Sequence, residues 1–248
     1  MSGTVYPSLA GRKVLVTGGA TGIGAALVEA FARQGSHVAF LDIDEAAGRE
    51  LAARVDGAVF IRCDLRDVGA LTAAVKAASE ALGGVEILLN NAASDDRHDL
   101  DDITPEYWDE RIATNLRHQF FAAQAAVPAM RAAGGGTIVN LGSIGWHPGL
   151  SNLLVYQTAK AGIEGLTRAL ARELGRDNIR VTTIMPGSVQ TPRQDRRHTA
   201  ADEEEIVAAQ CLDGRIQPAD VAAMAVFLAS DDARACTGHE YFVDAGWR

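Results

Sequence analysis

A short apolar run, Lys13-Val14-Leu15-Val16-Thr17, passes directly into Gly18-Gly19-Ala20-Thr21-Gly22-Ile23-Gly24, after which residues 25–34 carry a helical pattern that stops at Gly35. A strand, a glycine-rich turn and a helix in that order leave few folds open. Glycines let the backbone approach a pyrophosphate, and the helix start offers unpaired N–H groups to it. A glycine-rich turn by itself is equally an ordinary tight turn. Here the strand before it and the helix after it supply the context of a dinucleotide site. Further strand-like runs follow at 37–41, 59–63, 86–89, 137–141, 180–185 and 240–243. Between them lie helical stretches at 67–82, 156–174, 202–210 and 218–229, and a long one that opens at Thr104-Pro105 and runs to about residue 132. Residues 188–197 read as a loop. This alternation predicts an α/β fold, a doubly wound seven-stranded parallel sheet with helices on both faces in a single domain over residues 1–248, with ligands at the carboxyl ends of the strands.

Ser143 stands just past the strand at 137–141, and Tyr156-Gln157-Thr158-Ala159-Lys160 follows thirteen residues later. Tyr156 and Lys160 are four apart and share one helix face. A phenol with a cation one turn away is an acid/base pair, since a nearby positive charge lowers a phenol pKa of about 10 by up to several units. A hydroxyl at Ser143 can face that phenol and hold a substrate oxygen. Taken alone, Tyr-x-x-x-Lys is also a solvated tyrosine and a surface lysine.

Other polar residues sit at predicted strand ends. Asp42 closes the second strand, where an acid can accept both hydroxyls of an adenosine ribose and repel a 2′-phosphate. Neither Ile43 nor Asp44 offers a cation to such a phosphate, so NAD is expected over NADP. Asp42 could instead cap the helix that starts near Glu45. Asp64, after the third strand, suits an adenine amino group or, again, a helix cap. In Asn90-Asn91-Ala92-Ala93 the small residues leave room for a cofactor ring, and the asparagines can pin neighbouring strand ends. Asn115, inside the long helix, must be hydrogen-bonded if its face is buried.

The formal net charge of −9 argues against a nucleic-acid partner. The longest apolar run, 221–229, is far shorter than a membrane span, and the first thirteen residues lack the apolar stretch of a signal peptide. Three cysteines without a C-x-x-C pattern predict reduced thiols and a cytoplasmic location. Six histidines without H-E-x-x-H or similar spacing predict no metal.

The combination of TGGATGIG at 17–24, NNAA at 90–93, Asn115, Ser143, YQTAK at 156–160 and PG at 186–187 resembles the short-chain dehydrogenase/reductase family over essentially the whole chain. The resemblance implies a Rossmann fold, a nicotinamide cofactor and a catalytic set of Asn115, Ser143, Tyr156 and Lys160. In that set Tyr156 is the acid/base, Ser143 positions the reacting oxygen, and Lys160 lowers the tyrosine pKa and holds the nicotinamide ribose. Asn115 anchors a water in a proton relay. The implied NAD contacts, besides Tyr156 and Lys160, are Gly18, Thr21, Gly22, Ile23, Gly24, Asp42, Ile43, Asp64, Leu65, Asn91, Ala92, Pro186, Gly187, Val189 and Thr191. Ala93 departs from the family, which usually has glycine there.

Within the family, Asp95-Asp96-Arg97-His98, YWDERI at 107–112, NLRH at 115–118, Trp146-His147 and CTGHEYFVDAGWR at 236–248 resemble bacterial NAD-dependent aldose 1-dehydrogenases. That implies oxidation of a cyclic aldose at C1 to a lactone, a pentose foremost, by a homotetramer. Trp146 would offer a flat apolar face to the sugar, while Asp95, Arg97, His147 and Gln190 would join Ser143 and Tyr156 around its hydroxyls. The residues do not choose among D-xylose, L-arabinose, D-galactose and L-fucose. Another secondary alcohol (a polyol, a steroid or a hydroxyacid) also remains open.

Overall fold

In the computed structural model, which describes residues 4–247, seven strands form one parallel sheet in the order β3-β2-β1-β4-β5-β6-β7. They are β1 (Lys13–Thr17), β2 (His37–Asp42), β3 (Val59–Arg62), β4 (Ile87–Asn90), β5 (Gly136–Leu141), β6 (Ile179–Pro186) and β7 (Glu240–Val243). Parallel strands buried on both faces are apolar nearly throughout, and successive side chains feed opposite layers. Val14 and Val16 of β1 point into one core with Val38 and Phe40 of β2, whereas Leu15, Ala39 and Leu41 point into the other.

The first layer holds α1 (Gly22–Arg33), α2 (Glu45–Arg54) and, further along the chain, α9 (Pro218–Ala229). The opposite layer is built from α3 (Val68–Leu82), α5 (His118–Ala132) and the end of α6 (Leu154–Leu174). Truncating a fully buried side chain such as Leu15 or Phe31 to alanine would cost about 3–5 kcal/mol in either core.

Three sequence expectations change. The long helix opened by Thr104 is not one helix: α4 (Pro105–Ile112) is separated from α5 by a π-helical turn, Ala113–Arg117, with Asn115 at its centre. The stretch expected as loop holds a short helix, α7 (Pro192–Asp195), opened by the Thr191 side chain, which accepts the Gln194 N–H. Next comes α8 (Ala200–Ala208), which starts two residues before the expected position because Thr199 and Asp202 form a reciprocal capping box. No helix is long and apolar enough to cross a membrane among the described residues. Arg248, the last residue of the C-terminal resemblance, lies outside them.

The strand order reverses beside β1, whose neighbours are β2 and β4. A crevice opens there at the carboxyl ends, as Rossmann-type sheets require.

Candidate active site

The glycine-rich turn lies at that crevice because backbone must pass where no side chain fits. A Cβ on Gly18, at φ +64°, would come 2.7 Å from the Ala92 Cα, and one on Gly24 would collide with the Gly18 carbonyl. Thr21 precedes α1 in the N-cap position, yet its side chain makes no capping bond. The first N–H groups of α1 therefore lack a side-chain partner and are open to an anion. Asn91 fastens the turn to β4, donating to the carbonyls of Thr17 at 3.1 Å and Gly18 at 2.8 Å. Asn90 donates to Asn140 Oδ1 at 2.9 Å, tying β4 to β5. The expected pinning of strand ends by these asparagines is thus observed.

Asp42 does not cap α2; Asp44 does, accepting the Ala47 N–H at 3.0 Å. Asp42 instead accepts the N–H of Ala20 at 2.9 Å and that of Asp44 at 3.0 Å, which fixes its carboxylate beside the glycine turn. Asp64 is not a cap either, since Asp67 opens α3. Its carboxylate takes a two-pronged bond from Arg66, which holds it below the usual carboxylate range.

From Asp42 and Asp64 the crevice continues as one cavity of about 740 Å³ to Ser143, Tyr156 and Lys160. Gly18, Thr21, Gly22, Ile23, Gly24, Ile43, Leu65, Asn91, Ala92, Pro186, Gly187, Val189 and Thr191 line it as well. Its length, its glycine-rich floor and the open start of α1 fit a dinucleotide. Among the described residues, no group of three or more His, Cys, Asp or Glu is placed to hold a metal ion.

Ser143 lies two residues past the end of β5, and its Oγ accepts the Gly145 N–H at 3.0 Å, starting a tight turn over Ile144–Trp146. Ser143 and Tyr156 both line the cavity at this end. Lys160, 2% exposed, donates to the Leu141 carbonyl at 2.7 Å, and its Nζ stands 5.5 Å from the centroid of the Tyr156 ring. The electrostatics differ from the simple cation–phenol expectation. Burial pushes the Tyr156 phenol up to about 12, against the lowering effect of the Ser143 hydroxyl, with Asp95 raising it and Arg193 lowering it. Burial also drives Lys160 down to about 7, with Asp95 opposing. Desolvation outweighs the pairing because the lysine is itself too buried to carry its charge easily.

Asn115 is fully buried and lies behind the cavity wall rather than on it. Its Oδ1 accepts the Ser94 N–H at 2.8 Å and its Nδ2 donates to the Arg111 carbonyl at 3.0 Å, so the π-turn carries a satisfied amide. Such turns occur often at functional sites.

The expected sugar contacts divide. Asp95 and Arg97 line the cavity; Trp146, His147 and Gln190 do not. The turn capped by Ser143 carries Trp146 onto the His147 ring, centroids 4.0 Å apart, and His147 meets Phe242 of β7 edge-on at 5.7 Å. His147 Nε2 is 3.8 Å from Glu164. Both rings thus lie toward β7 and α6, and Ile144, Gly145, Pro148, Leu150 and Leu153 face the cavity in their place. Gln190 donates to Asp195 and accepts from Gln217, outside the wall.

Sequence reasoning missed Glu110, Arg111 and Thr114 on one side of the cavity, Arg193, Gln194, Arg196 and His198 on another, and Trp247 near the C-terminus. One signal was available: Thr191-Pro192 repeats the cap-and-proline pattern of Thr104-Pro105 and marks α7.

A parallel Rossmann sheet with a serine, a tyrosine and a lysine at the end of its dinucleotide crevice defines a class, and the chain belongs to the short-chain dehydrogenase/reductase family of nicotinamide-dependent oxidoreductases. A family model described as "Enoyl-(Acyl carrier protein) reductase" matches residues 18–248. The chain is 56% identical to D-xylose 1-dehydrogenase of Caulobacter vibrioides over the whole of both chains. It is 47% identical to the "Probable galactose dehydrogenase GalD" of Rhizobium meliloti, across 97% of this chain and 96% of that one. Among solved structures it is similar to a 7α-hydroxysteroid dehydrogenase complexed with NADH, with a TM-score of 0.92 and 29% identity over 97% of this chain and 96% of that one.

Proposed function

We propose that the chain oxidises C1 of a cyclic aldose, a pentose such as D-xylose foremost, to its lactone with NAD. The observation that carries this reading is the 56% identity to a D-xylose 1-dehydrogenase along the entire chain. When bound, NAD supplies the hydride-accepting nicotinamide ring. The C1 hydroxyl is held by Ser143 Oγ and gives its proton to Tyr156 Oη. Lys160 supplies an N–H donor beneath the phenol and toward the nicotinamide ribose. Asn115 fixes the backbone of Ser94 and Arg111 behind that pair. Asp95 and Arg97 meet the remaining sugar hydroxyls. The ring oxygen of the sugar stabilises the forming carbonyl, which makes a lactone the first product.

Asp42 supports NAD over NADP, since its anchored carboxylate stands where a 2′-phosphate would bring like charge. Asp64, Leu65 and Ile43 border the adenine end, and Thr191 with Val189 the carboxamide end. The reading includes a single domain, a cytoplasmic homotetramer, and no nucleic-acid or membrane partner. NADH formation across a panel of aldoses tests it. Turnover confined to a non-sugar secondary alcohol would remove the sugar and leave the family.

A further inference from the structure

The segment 192–198 closes one side of the cavity, and it is held there by charge rather than by apolar packing. Arg193, Gln194 and His198 face the cavity, and no side chain of α7 is buried. Its fastenings lie about a hundred residues away, in the stretch after β4. Asp96 Oδ1 accepts from Arg193 at 2.7 Å and from Arg197 at 2.6 Å, and Oδ2 accepts from Arg111 at 2.8 Å. Asp95 accepts from Gln194 at 2.8 Å and Arg197 at 2.9 Å. Three guanidinium groups on one carboxylate form a network, and networks count where isolated surface pairs contribute little. Their charge, with the Ser94 hydrogen bond, outweighs desolvation and holds the Asp96 carboxyl well below its usual range.

The other half of the network leads inward. The Ser94 hydroxyl donates to Asp96 at 2.7 Å and accepts from Arg193 at 2.9 Å and Arg111 at 3.0 Å. The Ser94 N–H and the Arg111 carbonyl are the two partners of the buried Asn115 amide. Asp96 therefore stands on a closed circuit, Asn115 to Ser94 to Asp96 to Arg111 and back to Asn115, with the segment 192–198 attached to it at Ser94 and Asp96 and to the neighbouring Asp95.

We propose that Asp96 is a positioning residue that seats segment 192–198 on the substrate end of the cavity and locks that seating to the Asn115 side of the active site. A loosened Asp96 then weakens substrate binding without touching the cofactor end. The inference rests on the dehydrogenase reading for its substrate, but the seating itself can be read without turnover.

The test uses the full-length chain with Asp96→Asn, Asp96→Glu and Arg197→Gln. Arg193, Arg196 and Arg197 are tryptic sites within the segment, so cleavage there, identified by mass, reports its release. Asp96→Asn should be cut in the segment about tenfold faster than wild type, and should raise KM for the aldose by about tenfold, the change that a loss of about 1.4 kcal/mol produces. NAD affinity should stay within about twofold, and Asp96→Glu should recover much of both effects. Arg197→Gln, on a side chain 35% exposed and remote from the cores, should move both readouts in the same direction even if Asp96→Asn folds poorly, with cleavage in every variant scored after Arg193 and Arg196 because this one lacks the site at 197. Wild-type cleavage, or faster cleavage with an unchanged KM, overturns the proposal. If the wild type turns over no aldose, the tryptic comparison still decides the seating, and the failure belongs to the proposed function instead.

Discussion

The ammonium of Lys160 takes the Leu141 carbonyl as its nearest partner, at 2.7 Å, and stands 5.5 Å from the centroid of the Tyr156 ring it serves. The phenol accordingly keeps its proton, pushed up to about 12 by burial. A base that must first lose a proton works better as pH rises. Aldose oxidation should speed up from about pH 7 to about pH 9, as the phenolate fraction grows. Tyr156→Phe should remove that limb together with turnover, a loss of about 10³-fold, with NAD affinity within about twofold of wild type. Near-normal rates in this variant would displace Tyr156 from its role.

Lys160 also sets a pH dependence of stability. Burial holds it at about 7 against an ordinary 10.5, so between those values the unfolded chain binds more protons than the folded one. Stability from this group therefore rises with pH across that window and is lowest below it. Urea unfolding at several pH values above about 7 should show a shallower rise in Lys160→Met than in wild type. Identical slopes would mean that the lysine stays charged in the folded state.

His118 works at the acid end. It is fully buried, its Nε2 is 3.0 Å from the Ala92 carbonyl, and burial, helped by the charge of Lys160, drives it down to about 3. The unfolded chain protonates its histidine near 6.5, so stability drains away as pH falls from there toward 3. His118→Gln keeps a donor for Ala92 and has no proton to take up. Its stability should fall less steeply than that of wild type between about pH 6.5 and pH 4.

Asp42 should make NAD preferred over NADP by at least about tenfold in kcat/KM, because like charges about 4 Å apart at a protein surface repel by more than the 1.4 kcal/mol this requires. Asp42→Ala should narrow the gap mainly by losing NAD affinity, since the carboxylate that anchors the Ala20 N–H is gone. Equal use of both cofactors by the wild type would contradict the ribose assignment.

Trp146 and Arg97 give a contrasting pair. Arg97 lines the cavity and Trp146 packs on His147 outside it. Arg97→Ala should raise KM for pentoses several-fold with NAD affinity unchanged, whereas Trp146→Ala should leave KM within about twofold. The reverse result would put the indole in the sugar site after all.

The central strands were legible because parallel strands covered on both faces are apolar nearly throughout, as Val14-Leu15-Val16 is. The tips were legible too, since Gly18, Asp42 and Asn91 interrupt those runs where the chain leaves the sheet. What could not be read depends on partners distant in sequence. The π-turn exists where the Asn115 amide meets Ser94, and nothing within 105–117 announces it. The direction of Trp146 follows from a turn that Ser143 caps, which the spacing of apolar residues does not encode. Arg193 and Arg197 read as solvated charges until the fold delivers Asp95 and Asp96 to them. The pairing of Tyr156 with Lys160 was visible, but the balance between their attraction and their burial was not.

The π-turn at Ala113–Arg117 amounts to one residue more than a plain helix needs. Deleting a single residue there would let α4 and α5 merge into an ordinary α-helix. The merged helix would rotate the Asn115 side chain by about 100° relative to everything on its far side. Ser94 and Arg111 would lose their shared partner while the backbone gained regular hydrogen bonds. The shortened chain should be sturdier against urea and silent as an enzyme. By that measure the extra residue in this chain trades durability for activity.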